Sequence, residues 1–252
     1  MAIGRPRAFD ADEALDRALQ VFWRKGYEGA SLSDLTRAMG INPPSLYAAF
    51  GNKEGLFRKA LDRYMAGPGG YAREALMAPT ARAVAERLLY GAADLRAEGR
   101  NPPGCLLVQG ALSCGDAADP MRQELTLRRA AGEAAMRQRF ERAQADGDLP
   151  ADCDPADLAR YVATVIYGMA VQAAGGASRG DLRQVAEVAL RIWPASRGRC
   201  SRRLSPIQPV GMVIVGGRGS LPGAARSNNS ISMVKVILDR KSSLRIQNQS
   251  PS

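Results

Sequence analysis

Residues 31–53, SLSDLTRAMGINPPSLYAAFGNK, read as two short helices joined by a tight turn. Ser31 is a favoured N-cap, and Asp34 three residues later completes a capping box with the shorter acid in place of Glu. Leu32, Leu35 and Met39 fall on one helical face. Gly40 stands where a helix ends in the left-handed conformation. Asn42 can cap a second helix, and Pro43 suits its first position, where no amide proton is needed. Leu46 and Phe50, four apart, face inward, which leaves Ser45, Tyr47, Ala48 and Ala49 facing out.

A helix, a glycine-containing turn and a second short helix make the helix-turn-helix pattern. In that motif the second helix enters the DNA major groove with its N-terminal residues on base edges. A small helical hairpin inside some other all-helical core shares the pattern, so the surrounding chain has to be read with it.

The 252 residues suffice for one or two domains with a real core. The first seven residues are basic, but an acidic amphipathic segment follows them, so no signal peptide is expected. The longest weakly polar run, residues 161–177, contains Gln172 and falls short of the ~20 residues of a membrane span. A buried helix is expected there, in a cytoplasmic protein that does not engage the membrane. Cysteines at 105, 114, 153 and 200 lack zinc-like spacing and are expected to be reduced thiols. The chain has no histidine, which excludes Ser-His-Asp and Cys-His catalysis and imidazole-based metal sites. No paired-carboxylate or phosphate-loop motif stands out, and neither cofactor nor metal is expected.

The net charge of +10 is unevenly placed. Residues 195–252 hold ten Lys/Arg against one acid, Asp239, whereas residues 1–194 hold 25 basic and 24 acidic residues. Any DNA affinity of the nearly neutral body must come from local placement of charge.

Residues 1–8 form an arm in which Arg5 and Arg7 flank Pro6. Such an arm can follow phosphates or reach into a minor groove, or it can be a solvated terminus. A first helix is expected over 11–25, capped by Asp10 with Glu13, carrying Leu15, Ala18, Leu19 and Phe22, and ended by Gly26. A helix after Asn52 carries Phe57, Ala60, Leu61 and Tyr64 on one face. Glycines 67, 69 and 70 with Pro68 and Pro79 mark a break, with one or two helical turns within 71–78. Further helices are expected over 80–98, 105–114, 117–146, 155–174 and 182–193. The segment 105–114, CLLVQGALSC, is apolar throughout and suits a buried helix or a strand; its helical neighbours favour the helix. Met121, Leu125, Met136 and Phe140 mark the inner face of the long helix. Asp154 with Pro155, and Asp181, are the expected caps of the last two. The fold class is therefore all-α, with about nine helices. Three regions are expected: a helix-turn-helix domain over 1–65, a helical domain over 66–194, and a basic tail over 195–252. In the tail acids nearly vanish, serine rises and no hydrophobic period links to what precedes. It is expected to be disordered, either as out-of-frame or read-through coding or as a basic arm for DNA.

The run GINPPSLYAAFGNKEGLF, with GRPRAFD and GYEGASLSDLTRAMG before it, resembles the DNA-binding domain of TetR-family transcriptional regulators. The match is dense from Gly4 to about Leu61; beyond it the chain resembles the family in length, helical content and one short motif. One departure is Ala49, where the family often has His or Tyr before the Phe. The resemblance implies that Tyr47 and Lys53 hold phosphates. Pro43, Pro44, Ser45 and Ala48 would face base edges or sugars, and Arg5, Arg7, Ser31 and Asn42 complete the expected DNA-binding set. It implies that the last two long helices form a four-helix bundle with a second subunit. Val162, Val165, Ile166, Met169, Val185 and Val188 are the interface residues expected there. It also implies a small-molecule effector site in the helical domain, for which Cys105, Gln109, Phe140 and Tyr161 are the candidates. Gly104-Cys105-Leu106 resembles a Gly-Cys-Leu motif in a subset of the family, some of whose members respond to electrophiles or oxidants. Placement in the first turn of a helix would favour a thiolate at Cys105, with Arg100 nearby; the alternative is a small packed residue.

The reading is a homodimeric regulator, a repressor released from a palindromic double-stranded DNA operator by a small molecule. A helical DNA-binding protein without an effector is the alternative, and a helical enzyme is a third, poorly supported by a chain without histidine.

Overall fold

The computed structural model describes residues 9–95, 101–112 and 119–194. Arg5 and Arg7, the segment around Arg100, Cys114, and all of 195–252 with Cys200 lie outside those residues. Among the described residues all regular structure is helical, in ten α-helices and one 3₁₀ turn.

The first four helices are α1 (Ala11–Gly29), α2 (Leu32–Met39), α3 (Pro43–Phe50) and α4 (Lys53–Ala66). Their ends follow local side-chain chemistry. Asp10 Oδ1 accepts from the amides of Asp12 and Glu13. Ser31 and Asp34 form a reciprocal capping box. Asn42 Oδ1 accepts from the Ser45 amide at 2.9 Å, and Asn52 Oδ1 from the Gly55 amide at 2.7 Å. Gly40 ends α2 with φ of 70°, a left-handed conformation that few residues other than glycine adopt. Gly26 leaves the helical conformation as expected (φ 69°, ψ −179°), and a further short helical stretch follows it to Gly29. One expectation is corrected here: Leu32 shares no buried face with Leu35 and Met39 but is 37% exposed.

These helices close over an aromatic core. Phe22 meets Phe57 edge-on at 4.9 Å, Tyr27 approaches Phe57 at 5.2 Å, and Trp23 meets Tyr64 edge-on at 4.8 Å. Such pairs contribute ~0.5–1.5 kcal/mol each beyond the area they bury. The same core takes in Leu106, Leu107, Met121 and Leu125 from further along the chain. Trp23 Nε1 donates to the carbonyl of Gly104 at 3.2 Å, so the first helix is tied to the segment that precedes the seventh.

After the Pro68–Gly70 3₁₀ turn come α5 (Tyr71–Ala75), α6 (Ala81–Asp94), α7 (Leu106–Leu112), α8 (Asp119–Ala145), α9 (Pro155–Ala174) and α10 (Arg179–Arg191). Within the apolar segment expected at 105–114, Leu106–Leu112 is helical and Cys105 lies just before the helix. Met121, Leu125, Met136 and Phe140 are buried, as the pattern of α8 predicts. Asp154 caps α9 with Pro155 at its first position. The start of α10 differs from expectation: Ser178 is the N-cap, and Asp181 is the third helical residue of a capping box with it. A second core, built largely of alanine, joins α5, α6, α8, α9 and α10.

Candidate nucleic-acid interface

The two helices of the motif are held at their N-termini by side chains that sequence alone identifies. Ser31 Oγ accepts from the Asp34 amide at 3.0 Å and donates to Asp34 Oδ2 at 2.7 Å. The same carboxylate lies 2.9 Å from Lys25 Nζ, which locks the start of α2 to α1. The Lys25 ammonium, then the Ser31 hydroxyl and amide, hold the Asp34 carboxyl down at about 2. Ser31 and Asn42 therefore act as caps within the fold.

On α3, Pro43, Pro44, Tyr47 and Ala48 are exposed, Ser45 is half-buried, and Leu46 and Phe50 are buried beneath them. Tyr47 is 46% exposed. An apolar, proline-led N-terminal half with an exposed phenol behind it can offer contact to thymine methyls and one hydroxyl to a phosphate or base. Gly55 permits the close approach of α4, because a Cβ there would lie 2.4 Å from the Phe50 carbonyl oxygen.

Lys53 opens α4, where free backbone amides favour anions. Its ammonium lies 4.5 Å from the centre of the Tyr27 ring. Desolvation there pulls its pKa below the usual lysine value, against the opposing charge of Glu28. Tyr27 as the seat of Lys53 was missed in the sequence, where 26 residues separate the two.

A second surface lies on α9 and α10. Val185 and Val188 are exposed, at 42% and 58%, and Ile192 just beyond α10 is exposed with them. Val185 and Val188 line a surface groove of about 570 Å³ together with Val165 and Tyr161. Of the expected interface residues, Val165, Val185 and Val188 meet at this groove. Val162 and Met169 do not: both are buried in the core of their own chain. Ile166 instead borders an internal cavity. The small residues of α9 are split as well, since Gly168 is exposed while Ala170 and Ala173 are buried.

That cavity, of about 20 Å³, is lined by Tyr71, Ala92, Leu95, Gly104, Cys105, Ile166, Ala170 and Ala173. It has room for about one water, far below the ~300–1,000 Å³ of a small-molecule site. Of the effector candidates, Cys105 borders it and Gln109 turns its side-chain amide toward Gly104. Phe140 does not border it; it is fully buried and packs edge-on against Trp193 at 5.4 Å. Tyr161 faces the α9–α10 groove and donates to the Ala189 carbonyl at 3.4 Å. Tyr71, which follows the glycine-proline break, was missed because nothing periodic marks it.

Cys105 immediately precedes α7, and its carbonyl accepts from the Gln109 amide at 2.8 Å. Its thiol accepts from the Tyr64 hydroxyl at 3.3 Å. Of the two readings of Cys105, these surroundings favour the packed thiol: burial pushes the thiol up, and this outweighs the Tyr64 hydroxyl and the Leu107 and Val108 amides that favour the anion. Burial likewise pushes the Tyr64 and Tyr71 phenols up, so this corner is neutral.

Residues 14–60 match the family model described as bacterial regulatory proteins, tetR family. Residues 82–187 match the model described as tetracyclin repressor-like, C-terminal domain. The chain is 37% identical over 194 residues to the HTH-type transcriptional repressor ComR of Escherichia coli K12, covering 76% of this chain and 92% of ComR. The repressor BdcR of the same organism is 48% identical over 62 residues, covering 25% of this chain and 32% of BdcR. Among solved structures, the TetR-family regulator CifR, as a cysteine mutant with 26-bp operator DNA, is 49% identical at a TM-score of 0.72. That match covers 75% of this chain and all of the CifR chain. With both family models matched in order and ComR matched over nearly its whole length, the chain belongs to the TetR family of bacterial transcriptional regulators.

Proposed function

We propose that this regulator is a cytoplasmic homodimeric repressor that binds a palindromic operator through α3 and leaves it when a small molecule occupies the helical body. The observation that carries this reading is the surface of α3 and its flank. Pro43, Pro44, Tyr47 and Ala48 are exposed in one short helix, with the Lys53 ammonium beside it at the start of α4. Arg5 and Arg7 are assigned to DNA backbone in this reading, and Ser45 completes the base-facing set. The similarity to ComR, a repressor, and to CifR, solved on operator DNA, supports the same assignment. Among the described residues no helix is long and apolar enough to cross a membrane.

Two copies are needed because an operator half-site meets one α3. The second α3 must lie about one DNA turn away, ~34–36 Å, to reach the next major groove. Val165, Val185 and Val188 on the open α9–α10 face are the contacts we assign to the partner. In this division residues 1–65 read DNA, 66–194 dimerise and bind the effector, and 195–252 form a basic tail.

Cys105, Gln109 and the cavity beside them are assigned to the effector. An effector larger than a water has to open that cavity, and its binding energy would move the surrounding helices. Coupling of this kind is reciprocal: the effector weakens DNA binding by the factor by which DNA weakens effector binding.

The experiment is selection of duplexes from a randomised pool by the native chain, followed by footprinting. A palindromic footprint supports the reading, and binding without sequence preference refutes it. Thermal-shift screening of metabolites then finds the effector. A ligand at 100 times its dissociation constant stabilises by ~2.7 kcal/mol, and the same ligand should remove the footprint. A footprint that no stabilising ligand removes would favour a DNA-binding protein without an effector.

A further inference from the structure

The helix α3 has little to hold it in place. It is eight residues long, opens with two prolines, and buries two side chains, Leu46 and Phe50. Its orientation therefore depends on its ends. Asn42 secures the first turn. At the other end, the last four carbonyls of a helix lack intrahelical donors. The Tyr47 carbonyl accepts from the Gly51 amide at 2.9 Å, and the Phe50 carbonyl from the Asn52 amide at 3.1 Å. The Ala49 carbonyl accepts from a side chain of the next helix: Lys59 Nζ donates to it at 3.1 Å. The same ammonium lies 5.2 Å from the centre of the Phe50 ring. A cation at this place meets the negative end of the α3 dipole and the face of an aromatic anchor of that helix.

We propose that Lys59 is a positioning residue, a cap donated by α4 to the C-terminus of α3 that fixes the angle at which Pro43, Pro44 and Ala48 meet DNA. The proposal rests on the DNA-binding reading above for its consequence, though not for the clamp itself. By composition alone Lys59 would count as one more phosphate contact. Its geometry differs from that of Lys53, whose ammonium sits over Tyr27 at the open end of α4. The Lys59 ammonium is directed at a carbonyl oxygen and a ring of its own chain.

The test compares the native chain with Lys59→Gln, which keeps most of the stem and loses the cation, and Lys59→Arg, which keeps the cation. Hydrogen exchange read by mass spectrometry over residues 43–52 should quicken about two- to fivefold in Lys59→Gln, the factor that a cation at a helix C-terminus supplies. Exchange over α1 should be unchanged, which separates loss of the clamp from loss of the fold. Affinity for a duplex selected by the native chain should fall by a similar factor, with less change on random DNA. The slope of log affinity against log salt should stay as it is. Lys59→Arg should restore both. A slope that falls by about 0.9, with equal loss on selected and random DNA, would make Lys59 a phosphate contact and overturn the proposal. Unchanged exchange over 43–52 would overturn it as well. A native chain without any preferred duplex would refute the DNA-binding reading, while the exchange measurement, which needs no DNA, would still decide the clamp.

Discussion

The two cores of this chain are built from opposite materials. The one under the helix-turn-helix interlocks Phe22, Trp23, Phe57 and Tyr64. The one in the helical body is dominated by alanines at positions 75, 78, 81, 85, 93, 143, 159, 163, 173, 186 and 189. Large rings in edge-on contact fix the angles between short helices, which a DNA-reading surface needs. Alanines let long helices approach closely but supply few interlocking shapes, and they leave α10 with valines turned outward. The helix-turn-helix core is closed over its rings, whereas the helical body leaves Val185, Val188 and Ile192 exposed, the face proposed above for a second copy.

The largest expected effect separates the buried side of α9 from the open face of α10. Val162 is buried in its own chain, so Val162→Arg places an unpaired charge in the core and should cost about 5 kcal/mol, enough to unfold many domains. Val188 is 58% exposed, so Val188→Arg should leave monomer stability within about 0.5 kcal/mol while abolishing self-association. Sedimentation and urea unfolding check the pair together. A Val188→Arg protein that stays dimeric would remove α10 from the interface.

Next come substitutions that change side-chain size in opposite directions in the two cores, and both should destabilise. Phe57→Ala deletes a ring in contact with Phe22 and Tyr27 and should cost ~3–5 kcal/mol. Ala163→Leu overfills the alanine core and should cost ~1–3 kcal/mol. A Phe57→Ala protein, or an Ala163→Leu protein, with the unfolding midpoint of its parent would break the comparison.

The same contrast explains what the sequence made legible. Helix starts at Asp10, Ser31, Asn42, Asn52, Thr80 and Asp154 are visible because a cap bonds to amides two or three residues away. The inward pair Leu46 and Phe50 is visible because α3 is polar or small elsewhere. On α9 the period fails: apolar residues surround most of the helix, so Val162 and Met169 could not be told from Val165 before the packing was known. Ser178 and Asp181 are both good caps three residues apart, and local chemistry alone does not rank them. Cys105 is the sharpest case. Its place at a helix start is local and was readable, whereas the desolvation that dominates its thiol comes from helices distant in sequence. Phe140 was legible as the inner face of α8, but its contact with Trp193 and the groove that Tyr161 faces are set by residues distant in sequence.

A smaller effect belongs to the surface of α3. Tyr47→Phe removes one exposed hydroxyl and leaves the aromatic core untouched. Loss of a hydrogen bond to a phosphate should weaken DNA binding about tenfold, equally for all sequences. Titrations against selected and scrambled duplexes measure this. A change in which bases are preferred would move Tyr47 from the phosphates to the base edges.

The smallest effect compares two identical devices, one in each region. Ser31 with Asp34 and Ser178 with Asp181 form the same capping box. The two carboxylates differ in their neighbours. Asp34 has the Lys25 ammonium at 2.9 Å and is held at about 2, from an ordinary 3.8. Asp181 is lowered by the Ser178 hydroxyl and then the Ser178 amide. A carboxylate whose folded pKa is depressed adds stability above its unfolded pKa and loses it as pH falls through the folded value. The Asp34 contribution should therefore be complete above about 4 and disappear as the pH approaches about 2. Carbon-13 titration of the two carboxyl groups should find Asp34 protonating at lower pH than Asp181. Lys25→Met should raise Asp34 toward Asp181 and leave Asp181 where it was. High salt should narrow the gap in the parent protein, because Lys25 is about half exposed and its charge is screened. Equal pKa values in the parent would mean that the Lys25 contact does not persist in solution, and the tie from α1 to α2 would then rest on packing alone.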